Sequence, residues 1–381
     1  MVSKLVDTLS SFGLTCLILM GLFVLTFAGT WAQIDEGLYE VQKRYFDSFY
    51  LIFELGWLRV PFPGGQLLLS LLFINLVVGG IVRIKKAKSR IGILTTHVGI
   101  LMLLSGGFIE YYFSHEGSMA LFEGDQSSEY RSYHHWEIAV IEDLGGGEFE
   151  EHLIPYNQFV SSNLAREVTF SSGSLPFDLV VSGYLPNCSV VAAGHGSTDP
   201  KGFRLRSKRR NMKTELDLAG HQLVLREKES GKIHETILWS GSRYPYVVEI
   251  AGRTWGVELR KQLWRLPFEV HLDKFTRVLH PRTGMAKSFE SEITKISGDD
   301  SQKTKISMNE PLRHDGYVMY QESWGPEGAG PDDRLFSQFA VSRNPADQWP
   351  LYACLVIAAG LLLHFSLKLL RYIRAEARAQ A

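Results

Sequence analysis

Apolar and polar positions are strongly segregated along this chain. Four blocks, residues 12–32, 66–83, 91–113 and 349–370, approach the roughly 20 apolar residues that a helix needs to cross a hydrocarbon core about 30 Å thick. Between the third and fourth blocks the pattern changes to short alternating runs bounded by turn residues, as in antiparallel strands. Residues 136–142, 168–170, 177–181, 221–226, 246–250, 268–272 and 317–321 read this way, and 335–341 would be the final strand before the last block. A Gly/Pro stretch at 324–331 reads as a mobile loop. The predicted fold class is an integral membrane protein with four transmembrane α-helices, three N-terminal and one C-terminal, and a large β-rich extracytoplasmic domain between the third and fourth. Its parts are an N-terminal membrane domain (1–113), the outer domain (114–348), and a C-terminal helix with a basic tail (349–381).

Charge orients this frame. The connection RIKKAKSR at 83–90 holds five cations and no acid, and so belongs in the cytoplasm. Alternation then puts both termini in the cytoplasm and the main domain on the outer, periplasmic side of a bacterial cytoplasmic membrane. The tail cations Lys368, Arg371, Arg374 and Arg378 agree. The first block could instead be a cleaved signal peptide, since Thr30, Trp31 and Ala32 resemble a small-residue cleavage site. Against that, Lys4 is the only early cation, Asp7 opposes it, and Trp31 ends the block as an interfacial anchor would. Residues 46–58, FDSFYLIFELGWL, are aromatic and apolar but too short to cross. They read as an interfacial segment, or else as a buried helix of the outer domain.

A net charge of −1 gives no basic surplus for phosphate neutralisation and excludes the nucleic-acid-binding class. Three distant cysteines, Cys16, Cys188 and Cys354, make no disulfide framework. There is no C-x-x-C of a thiol reductant and no C-x-x-C-H for covalent haem. No nucleophile elbow, phosphate loop or zincin motif occurs, so the chain has no catalytic constellation of its own.

Ionisable side chains inside spans are functional candidates by default. His97 and His364 each fall about seven residues inside the cytoplasmic end of a span, on the order of 10 Å deep. Around His97, Gly92, Thr95, Gly99 and Gly106 form an opposite small face suited to helix packing, while Ile93, Leu94, Leu101 and Leu104 share its side. That suits an imidazole on the iron of an apolar haem, and equally a histidine hydrogen-bonded to a neighbouring helix. Gly360, one turn before His364, would leave space for a flat ligand, although an amphipathic residue near the headgroups is tolerated without function. Asn75, at similar depth, could support an imidazole or simply bond between helices. In the outer region the basic run RLRSKRRNMK at 204–213 could attract haem propionates or an acidic surface, or be a solvated loop. His134 and His135 are adjacent and point to opposite faces of a strand, so they cannot share one metal. The remaining outer histidines show no metal-ligand spacing.

Several fragments occur in an order that resembles the ResB (CcsB) family of the haem-delivery pathway called System II. They are GTWAQ at 29–33, VPFPGG at 60–65, INLVVGGIVR at 74–83 and THVGILMLLSGG at 96–107. An EG-containing turn at Glu116 and Gly117 follows, then LFEG at 121–124 and NEPLRHDGYVMYQES at 309–323. The resemblance implies an accessory subunit of a cytochrome c haem-lyase complex, not an enzyme alone. It would move haem b, transported or transiently bound, with a multi-span ResC/CcsA-type partner and present it to apocytochrome c. It implies His97 as an axial ligand of the haem iron, and, with the second membrane ligand assigned to the partner, leaves His364 without family support. The tryptophan-rich haem-handling segment belongs to the family's partner subunit and does not occur here. Reduced apocytochrome thiols require a separate thioredoxin-like reductant, and membrane lipid surrounds the spans. Two other classes stay open: a self-contained b-type cytochrome using His97 and His364, and a noncatalytic membrane-anchored binding or sensor domain.

Overall fold

All four apolar blocks are helical in the computed structural model, which describes residues 2–55, 57–162, 166–192, 202–280, 286–326 and 333–380. Helix α1 (Val2–Leu9) precedes α2 (Phe12–Ala32), and Ser11 caps α2 by accepting from the Leu14 amide at 3.1 Å. A short α3 (Leu38–Val41) continues into a π-helical turn, Gln42–Phe46. Strands β1 (Tyr50–Leu55) and β2 (Leu58–Pro63) then form an antiparallel hairpin. Residues 46–58 are therefore mostly hairpin, with Leu51 buried but Tyr50, Ile52, Trp57 and Leu58 exposed. Helix α4 (Gly65–Asn75) runs straight into a second π-helical segment, Leu76–Val82. After it come α5 (Ile91–Phe113) and, beyond the outer region, α7 (Trp349–Ala379). Among the described residues, four helices are long and apolar enough to cross a membrane: Phe12–Ala32, Gly65–Val82, Lys88–Phe113 and Trp349–Ala379.

These helices make one compact unit, residues 1–114 and 344–381; residues 115–343 make the other. In the membrane unit, glycines at seven-residue intervals let α5 and α7 approach backbone to backbone. A Cβ on Gly92 would stand 2.5 Å from the His364 nitrogen, and one on Gly99 2.6 Å from Ile357 Cγ1. From the other helix, a Cβ on Gly360 would meet the Thr96 nitrogen at 2.6 Å. The small face expected of the third span is thus real, with Thr96 rather than Thr95 at the contact. Thr95 instead bonds the Ile91 carbonyl of its own helix.

The outer unit is β-rich, as its alternating pattern predicts. Its strands are β3 (His115–Phe122), β4 (Gln126–Gly145), β5 (Glu148–Pro155), β6 (Val168–Phe170), β7 (Phe177–Leu185), β8 (Cys188–Ala192) and β9 (Phe203–Ser207). They continue with β10 (Gly220–Glu227), β11 (Ile233–Trp239), β12 (Tyr246–Ile250), β13 (Arg253–Leu279), β14 (Ala286–Ser297) and β15 (Asp300–Ser307). Last come β16 (Leu312–His314), β17 (Tyr317–Gly325) and β18 (Phe336–Arg343); a short helix α6 (Tyr156–Phe159) follows β5. Glu116 and Gly117 lie inside β3 rather than in a turn. The main sheet runs β15-β14-β13-β4-β3-β18-β17-β16, with β5 and β12 added beside β4 and β13, and β11-β10-β7-β6 form a second sheet.

Two cores result. In the first, the second sheet packs on β4, β12 and β13 through Ile138, Phe177, Leu179, Leu223 and Trp255. In the second, the main sheet encloses Met119, Tyr130, Phe268, Leu272, Ile293, Tyr317 and Phe339. The 27-residue β13 serves both. Its pairing with β4 shifts between Lys261 and Leu263, and again between Arg265 and Val270. Pro267 lies in that second break; it has no N–H to donate, so the ladder cannot run through it. Within the family-like fragment at 309–323, Asp315 and Gly316 both take positive φ, 48° and 77°, and make the two-residue hairpin loop between β16 and β17.

Candidate functional site

His97 is the seventh residue of α5, and its neighbour is the π-helical segment of the second span. There Gly80 presents bare backbone to the ring: its carbonyl lies 2.9 Å from His97 Nδ1, and a Cβ at Gly80 would stand 2.7 Å from that nitrogen. Only glycine fits. A carbonyl oxygen can only accept, so Nδ1 carries the hydrogen and donates. The neutral ring then keeps its lone pair on Nε2, the arrangement in which metal-binding imidazoles are usually held. Nε2 has no hydrogen-bond partner among the described residues, and the ring is half-buried. His97 is thus a fixed tautomer with an available donor atom, on a helix whose opposite face is locked against α7.

His364 is placed differently. Its backbone is the surface against which Gly92 packs, so the room expected beside Gly360 is filled by α5. Its Nδ1 is enclosed without a hydrogen-bond partner, and the ring lies edge-on to Phe365 at 5.4 Å. Asn75 is committed elsewhere. Its amide donates to the carbonyls of Leu9 at 2.7 Å and Ser11 at 3.2 Å, and its oxygen accepts from Thr15 Oγ1 at 2.7 Å. It ties the break between α1 and α2 to the second span, and none of these bonds reaches an imidazole. Arg83 reinforces that tie with a 2.6 Å ion pair to Asp7. The supporting group that sequence reasoning missed is the Gly80 carbonyl. Its signal was the Gly79-Gly80 pair within INLVVGGIVR, at which a backbone approach can be made.

The outer unit offers several charged clusters, most of them tied into ion pairs. Glu142, Glu150 and His152 bring ligand-type atoms within 4.8 Å of one another, a grouping made by strand register that linear spacing did not reveal. Glu142 is already paired with Arg253 at 2.5 Å. Arg260 bonds Glu137 at 2.9 Å and Glu151 at 2.7 Å, which holds the Glu151 carboxyl below its usual range. For Glu137, burial outweighs the same guanidinium and pushes the carboxyl up. The basic run begins in β9, and Arg210 pairs with the buried Asp217 at 2.5 Å, while Arg204, Arg206 and Lys208 stay exposed. His134 meets Thr214 at 3.2 Å, and His135 stacks on Tyr156 at 5.4 Å. Cys16, Cys188 and Cys354 are all free thiols; burial pushes the Cys188 thiol up to about 11, so it is not a nucleophile near neutral pH.

No curated protein matches the chain. The family model described as ResB-like family matches residues 246–331, which run from β12 through β17 and supply β13, β14, β15 and β17 to the second core. The chain therefore carries a ResB-like region, in agreement with the ResB/CcsB resemblance of its ordered fragments, and that family implies a role in cytochrome c biogenesis.

Proposed function

We propose that this chain is the haem-delivery subunit of a cytochrome c maturation complex. With a ResC/CcsA-type multi-span partner it moves haem across the bacterial cytoplasmic membrane and presents it for attachment to apocytochrome c. The observation that carries this reading is the His97–Gly80 bond, which orients an imidazole within an apolar helix and leaves Nε2 free. Haem is the cargo here. Its macrocycle favours an apolar slot, and its iron accepts neutral imidazole. One ligand comes from this chain; the second comes from the partner, since the His364 backbone packs against Gly92 with its Nδ1 buried, and Asn75 is engaged with α1 and α2. Two roles remain outside the chain. Thioether formation needs reduced apocytochrome cysteines, and with its own three thiols far apart in sequence this chain relies on a separate thioredoxin-like reductant. In this arrangement both termini are cytoplasmic and residues 115–343 lie on the outer side, as the cations of 83–90 and of the tail favour.

The experiment is co-expression of the chain with and without a ResC/CcsA-type partner, read by visible absorption of the purified protein. Haem that appears in full only with the partner supports delivery. Full low-spin haem on the isolated chain would favour a self-contained b-type cytochrome instead.

A further inference from the structure

The outer unit contains a second polar cluster, formed where its chain begins and ends. His115, the first residue of β3, pairs across strands with Arg343, the last of β18, and Arg343 pairs in turn with Tyr317. Trp264 and Tyr130 are likewise directly opposed on β13 and β4. Cross-strand partners share a face, so the two rows converge. The His115 ring lies 4.3 Å from that of Trp264 and 6.4 Å from that of Tyr130, Tyr130 lies 6.4 Å from Tyr317, and the Arg343 guanidinium sits 5.5 Å over Tyr317. Gly117 makes room for this, since a Cβ there would stand 3.0 Å from the Tyr130 ring.

Three polar atoms of the cluster are buried without a hydrogen-bond partner among the described residues: His115 Nδ1, Tyr130 Oη and Trp264 Nε1. Tyr130 itself is 1 % exposed. Leaving such an atom unanswered in the folded chain is costly. The chemistry of the set is one-sided. An indole N–H can only donate, a guanidinium can only donate, and a phenol and a neutral imidazole can each donate one hydrogen. Burial, Arg343 and His135 lower the His115 pKa, in that order, and burial raises that of Tyr130, so both keep these forms near neutral pH. Arg343 has no carboxylate partner among the described residues and is exposed, which leaves its guanidinium accessible to an incoming group at the edge of the cluster. Glu116, the neighbouring acid, alternates onto the other face of β3.

We propose that His115, Tyr130, Trp264 and Arg343 form an oxyanion site for a phosphate group. Donors from four different strands suit a tetrahedral anion better than a flat carboxylate. A lipid headgroup and free phosphate share this chemistry. His115 is the second residue after α5, and Arg343 the sixth before α7, so the site lies close in sequence to two membrane-crossing helices. This inference does not rest on the haem-delivery reading.

The test is native mass spectrometry of the full chain in detergent, titrated with phosphatidylglycerol and separately with inorganic phosphate. Trp264→Phe, which keeps the ring packing and removes one donor, and Arg343→Gln, at an exposed position, should each bind about tenfold or more weakly. Phosphatidylglycerol retention that inorganic phosphate does not displace identifies the lipid headgroup; displacement by phosphate identifies the free anion at the same donors. Equal binding by both variants and the unaltered chain, with unchanged circular dichroism, overturns the proposal and leaves the orphaned donors to solvent. If Trp264→Phe does not fold, Arg343→Gln decides alone.

Discussion

His97 and His364 are both imidazoles within apolar helices, and their neighbours treat the Nδ1 atom in opposite ways. Beside His97 a glycine carbonyl in a π-helical segment accepts the Nδ1 hydrogen and leaves Nε2 available. Beside His364 a glycine of the facing helix draws the backbones together, and the ring nitrogen Nδ1 is shut in with no partner. One glycine orients an imidazole; the other closes a helix contact. Depth in the membrane, which made the two histidines equivalent in the sequence, therefore carries little information about their roles.

The largest effect expected from this contrast is at His97 itself. His97→Ala should lower haem retention in the partnered complex by more than the roughly 10–100-fold that loss of a supporting group costs, as read from the absorption spectrum of the purified complex. Gly80→Ala comes next. Its Cβ would intrude on Nδ1, so haem affinity should fall about 10–100-fold while His97 remains, measured by haem titration. Gly360→Leu should separate α5 from α7 and destabilise the membrane unit by about 1–3 kcal/mol, visible in a thermal melt in detergent. The smallest effect belongs to His364→Leu. Replacing an unpartnered buried nitrogen with an apolar group of similar size should leave haem retention unchanged and shift stability by less than about 1 kcal/mol, in either direction. A large haem loss there would break the contrast.

The sequence made some of this legible. Residues 12–32 and 91–113 coincide with α2 and α5 because apolar length and flanking polarity define a span without reference to its neighbours. Strands such as Val168–Phe170 and Tyr246–Ile250 follow from local alternation for the same reason. What sequence could not supply was which element faces which. Depth left Asn75 open to supporting an imidazole or bonding between helices, and the second holds: its partners are Leu9, Ser11 and Thr15, across a helix break that hydropathy does not mark. Residues 46–58 looked like one apolar, aromatic stretch, interfacial or helical, whereas a hairpin buries Leu51 on one side and exposes Ile52 on the other. The passage of β13 from one core to the other depends on long-range register, and Pro267 only marks the place. The greater part of the Gly/Pro stretch at 324–331 lies outside the described residues.

The central claim is that Nε2 of His97 is offered to haem iron in a complex whose other ligand comes from a partner. The most direct measurement is the visible and electron paramagnetic resonance spectrum of the partnered complex carrying His97→Gly, recorded without and with added imidazole. The account predicts loss of the low-spin haem signal in the variant and its return when imidazole enters the emptied position. An unchanged low-spin spectrum in the variant without imidazole would contradict it.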